Sequence, residues 1–388
     1  FAASSTPLNL QHSSMKVVFT DSIASVAADH WNRLAGDSNP FIQHDFLLAL
    51  EQHDCLQNWG WYPQHCLLYD DDRLIGACPA YIKDNSYGEF VFDWAWADAY
   101  ERNGLSYYPK LVTAIPFTPA QGPRLLADVD HSAGKEMIKK GLVDALLAHS
   151  ENNELSSAHF LFCESDDIKV LDRAGLMQRY DYQFHWSNDN YHSFDDFLSQ
   201  LNSKRRKNIR RERRKVTEND VRIEVIDGTE LDEEQWELLY AFYRVTFMKK
   251  SGAPTLTLDF FKAVADRLRA IFAYHENRTV AAAICFEGED KFYGRHWGCS
   301  DNYDSLHFEV CYYTGIEYCI DKKLEIFEPG AQGEHKIWRG FLPTKTRSAH
   351  WIANQDFSAA IKDFLQREAA AMNHHGEILL ESSPYKLS

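Results

Sequence analysis

Residues that could transfer protons or bind anions are concentrated in the second half of the sequence. Histidine can act as a general acid or base near neutral pH, and arginine can bind a carboxylate or a phosphate through two parallel hydrogen bonds. The cluster consists of Arg295, His296, His307, Glu309, Glu334, His335, Arg339 and His350. These side chains suit acyl transfer to an amine, which needs a base near the amine and a hydrogen-bond donor for the developing oxyanion.

The local sequence suggests different roles within this cluster. His335 and Glu334 lie in the string GAQGEHK, whose two glycines let backbone amides approach a ligand. His307 and Glu309 begin a predicted helix, at the end where unpaired amides favour an anion. The predicted catalytic residues are His335, Glu334, His307 and Glu309, and the predicted substrate-binding residues are Arg295, His296, Arg339 and His350. In the alternative interpretation, His296 and His307 satisfy core hydrogen bonds, and Glu309 is a capping carboxylate.

The same segment offers metal-ligand types without the spacing of a metal site. His296-x-x-Cys299 and His307-x-Glu309 could supply ligands. Residues two apart on a helix point in different directions, however, and no standard zinc spacing occurs in the sequence. We therefore expect no metal.

A second candidate segment is the string PFTPAQGPRLL, which spans Pro116–Leu126. Its prolines and glycine impose an unusual backbone path, and a guanidinium there could bind a phosphate or a carboxylate. We predict that Thr118, Gln121 and Arg124 contact substrate. Alternatively, the segment is a stiff structural loop in which Arg124 pairs with a nearby acid.

A strongly basic run lies between Lys204 and Lys215, where nine cations are opposed only by Glu212. One face of this predicted helix recurs at the helical period and should dock on the protein body; it comprises Leu201, Arg205, Ile209, Glu212 and Val216. The remaining cations either form a solvated face or bind an anionic partner. Because the whole chain carries a net charge of −16, the density of the run favours a partner. The predicted anion-binding residues are Lys204, Arg206, Lys207 and Arg210.

The sequence segments that should position these residues occur twice, with similar residues at corresponding positions. The first set of corresponding positions has a constant offset of 214 residues, and the second has a constant offset of 205 residues. The first set is Pro40, Asp45, Phe46, Leu47 and Ala49 with Pro254, Asp259, Phe260, Phe261 and Ala263; the second is Tyr69, Arg73, Ile75, Gly76 and Ala77 with Tyr274, Arg278, Val280, Ala281 and Ala282. Self-similarity on this scale predicts a duplicated domain, with chance similarity as the alternative.

Hydrophobic periodicity predicts the same order of elements in both halves: a strand, two helices, three antiparallel strands, a helix and a strand. This order predicts an α+β fold of two tandem domains, each a mixed, mainly antiparallel sheet flanked by helices. We assign residues 15–190 and 191–388 to the two domains, with the basic helix at residues 203–218. The first domain includes a predicted strand near Glu89–Asp93 and a loop over residues 94–130.

Composition bounds the class of protein. A hydrophobic content of 45% and an aromatic content of 14% predict large cores rather than disorder. The eight cysteines contain no C-x-x-C pair, which predicts reduced, buried thiols and a cytoplasmic protein. The sequence contains no run of about 20 apolar residues, so it predicts no membrane-spanning helix. Residues 1–14 lack a basic start and an apolar stretch, and we expect a tag remnant or a trimmed leader.

Specific strings support a family resemblance. The element order resembles the acetyltransferase fold of the GNAT superfamily, and two copies in tandem resemble the Fem family, which adds amino acids to peptidoglycan precursors. The strings are similar to those of the bacterial Fem-like proteins that are described as peptidoglycan biosynthesis/recognition proteins. They are NPFIQHDFLLALE, PFTPAQGPRLL, KRRKNIRRERRK, GRHWGC, LHFEVCYYTGIEYCI and FEPGAQGEHKIWRGFLP. The resemblance covers roughly residues 15–375 and implies two GNAT-like domains.

The resemblance implies an N-acyltransferase or aminoacyltransferase acting on an amine acceptor, such as a cell-wall or lipid precursor. It implies no permanently bound cofactor; the acyl donor is aminoacyl-tRNA or acyl-CoA. Acyl-CoA enzymes of this superfamily usually carry a Q/R-x-x-G-x-G/A loop, and the sequence has no clear match, which favours aminoacyl-tRNA. A tRNA acceptor arm, a lipid pyrophosphate and an anionic membrane surface are the candidate partners of the basic helix, the last at the inner membrane face.

The rival hypothesis is a non-catalytic module that binds an anionic cell-wall precursor or RNA. An enzyme should show a deep polar cleft that joins PFTPAQGPRLL or GRHWGC to GAQGEH, whereas a binding module could leave these strings apart on the surface.

Overall fold

The computed structural model describes residues 6–7, 15–249, 252–331 and 333–386. The chain forms two compact units, the first comprising Phe1–Asp181 and Lys345–Asn373, and the second comprising Tyr182–Thr344 and His374–Ser388. The predicted tag remnant or leader at residues 1–14 lies outside the described residues, apart from Thr6 and Pro7 in a short strand.

The first unit combines two groups of hydrogen-bonded strands with packed helices. Its elements are β1 (Thr6–Pro7), β2 (Met15–Thr20), α1 (Ala28–Ala35), α2 (His44–Gln52), β3 (Trp61–Pro63), β4 (His65–Asp70), β5 (Arg73–Cys78), β6 (Tyr81–Lys83), α3 (Trp94–Arg102), β7 (Lys110–Thr113), β8 (Leu126–Ala127), α4 (Lys135–Asn152), β9 (Ser157–Phe160), α5 (Ser165–Arg173) and the beginning of β10 (Met177–Ser187). One group is antiparallel, in the order β1-β2-β4-β5-β8. In the other, β7 is parallel to β9 and antiparallel to β6, which pairs with β3.

The second unit is built on one sheet in the order β11-β12-β13-β14-β15-β10. Its elements are α6 (Phe194–Gln200), α7 (Ser203–Glu218), β11 (Val221–Asp227), α8 (Glu233–Lys249), α9 (Leu258–Ala263), β12 (Leu268–His275), β13 (Arg278–Glu287), β14 (Lys291–Cys299), α10 (Leu306–Phe308), α11 (Thr314–Lys322), β15 (Ile326–Glu328), β16 (Leu342–Ile352) and α12 (Gln355–Glu381), the last two of which also contribute to the first unit. The strands are antiparallel except for the pair β14–β15.

The division of the chain differs from the predicted boundary between residues 190 and 191. Residues 345–373 belong to the first unit, because Ala349–Ile352 of β16 pairs with β9 and Ile361 of α12 packs in a cluster with Trp96. The second unit already begins at Tyr182, because β10 pairs with β15 there. Local sequence patterns do not encode which distant strand a segment pairs with, so they could not locate this crossover.

The residues of the internal repeat occupy corresponding elements. Asp45 lies in α2 and Asp259 in α9, while Tyr69 lies in β4 and Tyr274 in β12. Each hairpin has a register shift immediately before its tyrosine, at positions that are also 205 residues apart. A β-bulge is a specific local feature, so its recurrence at the same offset favours duplication over chance.

Two element predictions in the first half were wrong. Residues 89–93 form no strand, because Glu89 and Asp93 are buried in ion pairs with Lys110 and Phe90 has a φ of 59°. The predicted loop over residues 94–130 contains the helix α3, which buries Trp96 and Tyr100.

The close approach of α8 to β14 generates a stability prediction. A Cβ at Gly298 would lie 2.0 Å from the carbonyl oxygen of Phe242, and neither backbone can move easily. We expect Gly298→Ala to lower the free energy of unfolding by about 2 kcal/mol in urea titrations. Gly141→Ala is the matched control, because its Cβ would meet only Leu68 at 3.4 Å and alanine favours the helix by roughly 0.5–1 kcal/mol. Equal stability of the two variants would contradict the packing argument.

Candidate active site

The candidate site lies where the two parallel strands of the second unit separate. Residues Lys291–Tyr293 of β14 pair with residues Ile326–Glu328 of β15, and the two strands pair nowhere else. β14 then continues to Cys299, whereas the chain after Glu328 turns towards a 3₁₀ helix at Glu334–Arg339. A Cβ at Gly294 would lie 3.3 Å from the Cα atom of Pro329, so the strings GRHWGC and GAQGEH begin in contact. The enzyme hypothesis expects a deep polar cleft that joins these strings, and this contact is one part of that expectation.

Two predicted catalytic histidines meet at this opening. The ring centroids of His307 and His335 are 6.4 Å apart, and Tyr312 lies between their elements. The Tyr312 hydroxyl is 3.0 Å from Nε2 of His335, and its ring is 5.3 Å from that of His307 in an edge-to-face contact. Trp297 of β14 packs on His307 at 5.2 Å. A π-helical turn at Glu309–Tyr313 places Tyr312 in this position.

The environment keeps both imidazoles neutral. Burial, with a further contribution from His335, lowers the pKa of His307 to about 4. Burial and the cations Arg339 and Lys336 also lower the pKa of His335. Burial of the Tyr312 hydroxyl raises its pKa, so the phenol keeps its proton. A neutral histidine with a fixed hydrogen-bond partner is a suitable general base at neutral pH.

The position of the His335 ring depends on a glycine. Gly333 has a φ of 116°, and a Cβ there would lie 2.6 Å from Cε1 and 3.0 Å from Nδ1 of the His335 ring. Any other residue would therefore be strained, and its Cβ would collide with the ring. When Nε2 bonds to Tyr312, the second ring nitrogen, Nδ1, makes no hydrogen bond with any residue that the structure describes.

Arg339, predicted to bind substrate, holds the site together instead. Its guanidinium is buried and bonds to Glu212 of α7 at 2.8 Å and to the carbonyl oxygen of His335 at 2.9 Å. It also lies 3.5 Å from the centroid of the Phe308 ring. These contacts make Arg339 a positioning residue for the 3₁₀ helix.

The two predicted catalytic glutamates lie away from the histidine pair. Glu334 is exposed and pairs with His375 at 3.4 Å, because successive residues of a 3₁₀ helix point about 120° apart. Glu309 is buried and pairs with Arg213 at 2.8 Å, beside Glu317. Burial raises the pKa of Glu309, although Arg213 opposes the shift. The geometry therefore corrects the predicted proximity of both carboxylates to the base.

Arg295 and His296 lie on the β14 side of the opening. Arg295 occupies the register shift of β14, between Gly294 and His296. Burial lowers its pKa to about 10. The ring of His296 packs against Tyr243 with a centroid distance of 4.7 Å, and burial lowers its pKa to about 3. His296 therefore packs against aromatic rings, and among the described residues its own ring makes no core hydrogen bond of the kind that the alternative interpretation expected.

The candidates from PFTPAQGPRLL and His350 belong to the first unit. Arg124 is fully buried, and its guanidinium donates to the carbonyl oxygens of Leu161, Pro123 and Ala120. This geometry supports the structural-loop alternative, with backbone carbonyls in place of an acid. In the same loop, Thr118 bonds to Pro116 and Gln121 bonds to Lys345.

His350 does not join the cluster predicted for the second half. Its Nδ1 atom lies 2.7 Å from Nδ1 of His159, and its Nε2 atom lies 2.8 Å from the hydroxyl of Ser348. The ring is 1% exposed. β16 carries His350 into the first unit, which the spacing of residues could not reveal.

The basic helix α7 docks through the predicted face. Leu201, which precedes it, and its own Ile209 and Val216 are buried, while Arg205 stacks on Trp338 at 4.7 Å. Two members of the predicted anion-binding set already have partners in the structure. Arg210 pairs with Asp195 at 2.9 Å, and Arg206 donates to the carbonyl oxygen of Leu201 at 3.4 Å.

A continuous row of cations remains on the outer face of α7. Within the part of the chain that the structure describes, these four exposed side chains make no hydrogen bond or ion pair: Lys204, Lys207, Arg211 and Arg214. Their spacing of three, four and three residues places them on one helix face. Only Lys204 and Lys207 were among the predicted anion-binding residues.

Two residues that the sequence interpretation missed, Tyr312 and Lys336, help to build the site together with Gly333, one of the two glycines noted in GAQGEHK. Lys336 is 2% exposed, donates to the carbonyl oxygen of Gly330 at 2.7 Å, and has its pKa lowered to about 8 by burial. The positions of Gly333 and Lys336 around His335 were visible in GAQGEHK. The role of Tyr312 depends on the π-helical turn, for which the sequence has no clear signal. Among the described residues, no group of three or more His, Cys, Asp or Glu side chains could hold a metal ion.

A family model described by peptidoglycan biosynthesis and recognition matches residues 22–387. The chain belongs to the FemAB-like family. The resemblance inferred from the sequence strings is thereby confirmed. No curated protein sequence matches this FemAB-like chain significantly.

Solved structures confirm the predicted α+β fold of two tandem acetyltransferase-like domains. The structure of FemX has a TM-score of 0.50 and 10% sequence identity, covering 86% of this chain and 98% of FemX. The C-terminal domain of a protein assigned as a lysylphosphatidylglycerol synthetase, from Agrobacterium fabrum, has a TM-score of 0.53 and 9% identity, covering 90% of this chain and 98% of that domain. Such low identities establish the fold alone. None of the helices within the described residues is long and apolar enough to cross a membrane.

The electrostatics of the site generate a pH prediction. We expect the ring of His307 to stay neutral until the pH falls to about 4, against an ordinary value of 6.5. Because the folded state disfavours protonation, the stability that His307 contributes is complete above pH 6.5 and is lost as the pH falls towards 4. NMR titration of the ring protons, assigned with His307→Asn, measures this value. A midpoint near 6.5 would contradict the packing described for the ring.

The row of free cations generates a binding prediction. Lys207→Gln with Arg211→Gln should weaken the binding of tRNA, used as a polyanionic probe, and lower the salt slope of its affinity by about 1.5. Arg206→Gln with Arg210→Gln removes the same charge from the same helix, but these arginines already have partners within the unit. Filter binding at several salt concentrations compares the pairs. Equal effects would show that general charge, rather than the outer row, governs binding.

Proposed function

We propose that this FemAB-like protein transfers an activated acyl or aminoacyl group to an amine, with the chemistry in the second unit. The observation that supports this most is the neutral His335, which Tyr312 orients through Nε2 and whose Nδ1 makes no hydrogen bond among the described residues. General bases in acyl transfer need a free lone pair near the attacking amine, and this arrangement offers one.

In the proposed reaction, the amine nitrogen attacks the carbonyl carbon of an ester or thioester. Nδ1 of His335 accepts the proton that the amine loses, while Nε2–H donates to the oxygen of Tyr312. The buried ammonium of Lys336 and the backbone amides near Gly333 supply positive potential for the oxyanion. The carbon–oxygen or carbon–sulfur bond then breaks, and the proton passes from His335 to the leaving oxygen or sulfur. The products are an amide and a free hydroxyl or thiol.

We favour aminoacyl-tRNA as donor and a cell-wall or lipid-linked amine as acceptor, in the cytoplasm. The outer cations of α7, Lys204, Lys207, Arg211 and Arg214, could contact the phosphates of a large donor. The family description refers to peptidoglycan, and one structural neighbour is named for the synthesis of lysylphosphatidylglycerol, an aminoacylated lipid. Acyl-CoA is the alternative donor.

The test measures amide formation by mass spectrometry, with charged tRNA or acetyl-CoA as donor and a peptidoglycan precursor peptide as acceptor. We expect His335→Asn to lower turnover by about 10²–10⁴-fold, because it removes the base. Gly333→Ala should also lower turnover, since its Cβ would displace the His335 ring. Glu334→Gln is the matched control: it alters the adjacent, exposed side chain and should leave turnover nearly unchanged. Melting temperatures of all variants check that the fold is retained.

The outcomes separate the enzyme from the non-catalytic binding module. Full activity of His335→Asn would remove this site from the chemistry. Tight binding of a precursor or RNA without product from either donor would favour the binding module. Saturable binding of acetyl-CoA without binding of tRNA would reverse the order of donors.

A further inference from the structure

A segment of the first unit has its charges inside and its aromatic rings outside. We call residues 86–94, which lie between β6 and the first residue of α3, the aromatic loop. Its exposed side chains include Tyr87 at 59%, Phe90 at 40%, Phe92 at 56% and Trp94 at 40%. The acidic residues of the same loop, Glu89 and Asp93, are each only 3% exposed. This reverses the usual distribution of charged and aromatic side chains.

One buried lysine holds the acidic residues under the loop. Nζ of Lys110 bonds to Asp93 at 2.5 Å, to Glu89 at 2.8 Å and to the hydroxyl of Ser86 at 2.8 Å. Lys110 itself is fully buried. Burying ionised groups is costly unless they are paired, so these contacts determine which side chains face inward.

The loop backbone is also tied down. Lys83 donates to the carbonyl oxygen of Tyr87 at 3.2 Å, and the amide of Phe117 donates to the carbonyl oxygen of Gly88 at 3.1 Å. Arg179 donates to the carbonyl oxygen of Phe92 at 2.7 Å. Phe90 lies in the left-handed region at a φ of 59°, which is uncommon for a large side chain. The exposed rings are therefore presented by an ordered backbone.

We propose that the aromatic loop inserts into the interfacial layer of a lipid bilayer. Phe90 and Phe92 form an apolar tip, and Tyr87 and Trp94 flank it, packed together at 5.4 Å. Tyrosine and tryptophan prefer the boundary between lipid and water, while phenylalanine partitions below it. The withdrawal of Glu89 and Asp93 removes the charges that would otherwise oppose insertion.

The chemistry of the tip favours lipid over other occupants. Phe90, Val91 and Phe92 have side chains without hydrogen-bonding groups, which a glycan would need beside stacked rings. A protein interface normally surrounds its apolar centre with a polar rim, whereas the charges of this loop point inward. The loop exposes no cation, so its binding should not require anionic lipid. The loop shares no residue with α7, and its binding does not depend on the proposed transferase activity.

The experiment uses cosedimentation of the full chain with vesicles of pure phosphatidylcholine. We expect wild-type protein to bind, and Phe90→Ser with Phe92→Ser to bind at least tenfold more weakly. Val129→Ser with Met137→Ser is the matched control, because these residues are also exposed in the first unit, at 71% and 48%, outside the loop. Melting temperatures must be similar for all proteins. Quenching by brominated lipid, lost in Trp94→Phe, would report insertion of the loop itself.

Three outcomes would overturn the proposal. The first is equal binding by the loop variant and the wild-type protein. The second is binding to anionic vesicles alone that is abolished by salt, which would assign the interaction to the cations of α7. The third is absence of binding to phosphatidylcholine together with saturable binding of a glycan or a protein that the loop variant loses. Failure of turnover would leave the vesicle result unaffected, so the two proposals can fail separately.

Discussion

The ion pair between the half-buried Glu212 and the buried Arg339 is the interaction on which the candidate site depends most. It joins α7 to the 3₁₀ helix, and the same guanidinium donates to the carbonyl oxygen of His335. Tyr313 also bonds to both members of the pair. An unpaired buried charge costs about 3–5 kcal/mol, so the docking of α7 and the placement of His335 are energetically linked. The Glu212–Arg339 pair therefore fixes the position of α7, which carries the outer cations, relative to His335.

The two units use a common scaffold for different purposes. Both have the same bulged hairpin, and in each the strand added to the sheet carries a His-Trp pair, His185-Trp186 in one and His350-Trp351 in the other. In the first unit, His350 bonds to His159 and Ser348. In the second unit, the candidate site lies instead where β14 and β15 stop pairing. The two hairpins keep the same backbone geometry, whereas the side chains around them differ between the units.

Buried charges mark both candidate surfaces. In the second unit they orient the elements around a neutral histidine, and in the first unit they hold acidic side chains beneath exposed rings. Desolvation makes such groups expensive, so a fold that keeps them must pair them closely. The pairing then imposes rigidity. In both units, rigidity serves the same end, which is to present a reactive or apolar group in one orientation.

Local regularities of the sequence were sufficient to predict the α+β class, the duplicated hairpins and the docking face of α7. Helical spacing placed Ile209, Glu212 and Val216 on one face because that property depends only on neighbouring residues. The approach of GRHWGC to GAQGEH was expected from the enzyme hypothesis rather than from any local pattern. The tertiary structure alone decided that β16 carries His350 into the first unit, that Arg124 is enclosed by its own loop, and that Glu334 and Glu309 face away from His335. Strand partners, burial and the direction of a side chain on an irregular helix depend on contacts between distant residues, and no local pattern records those contacts.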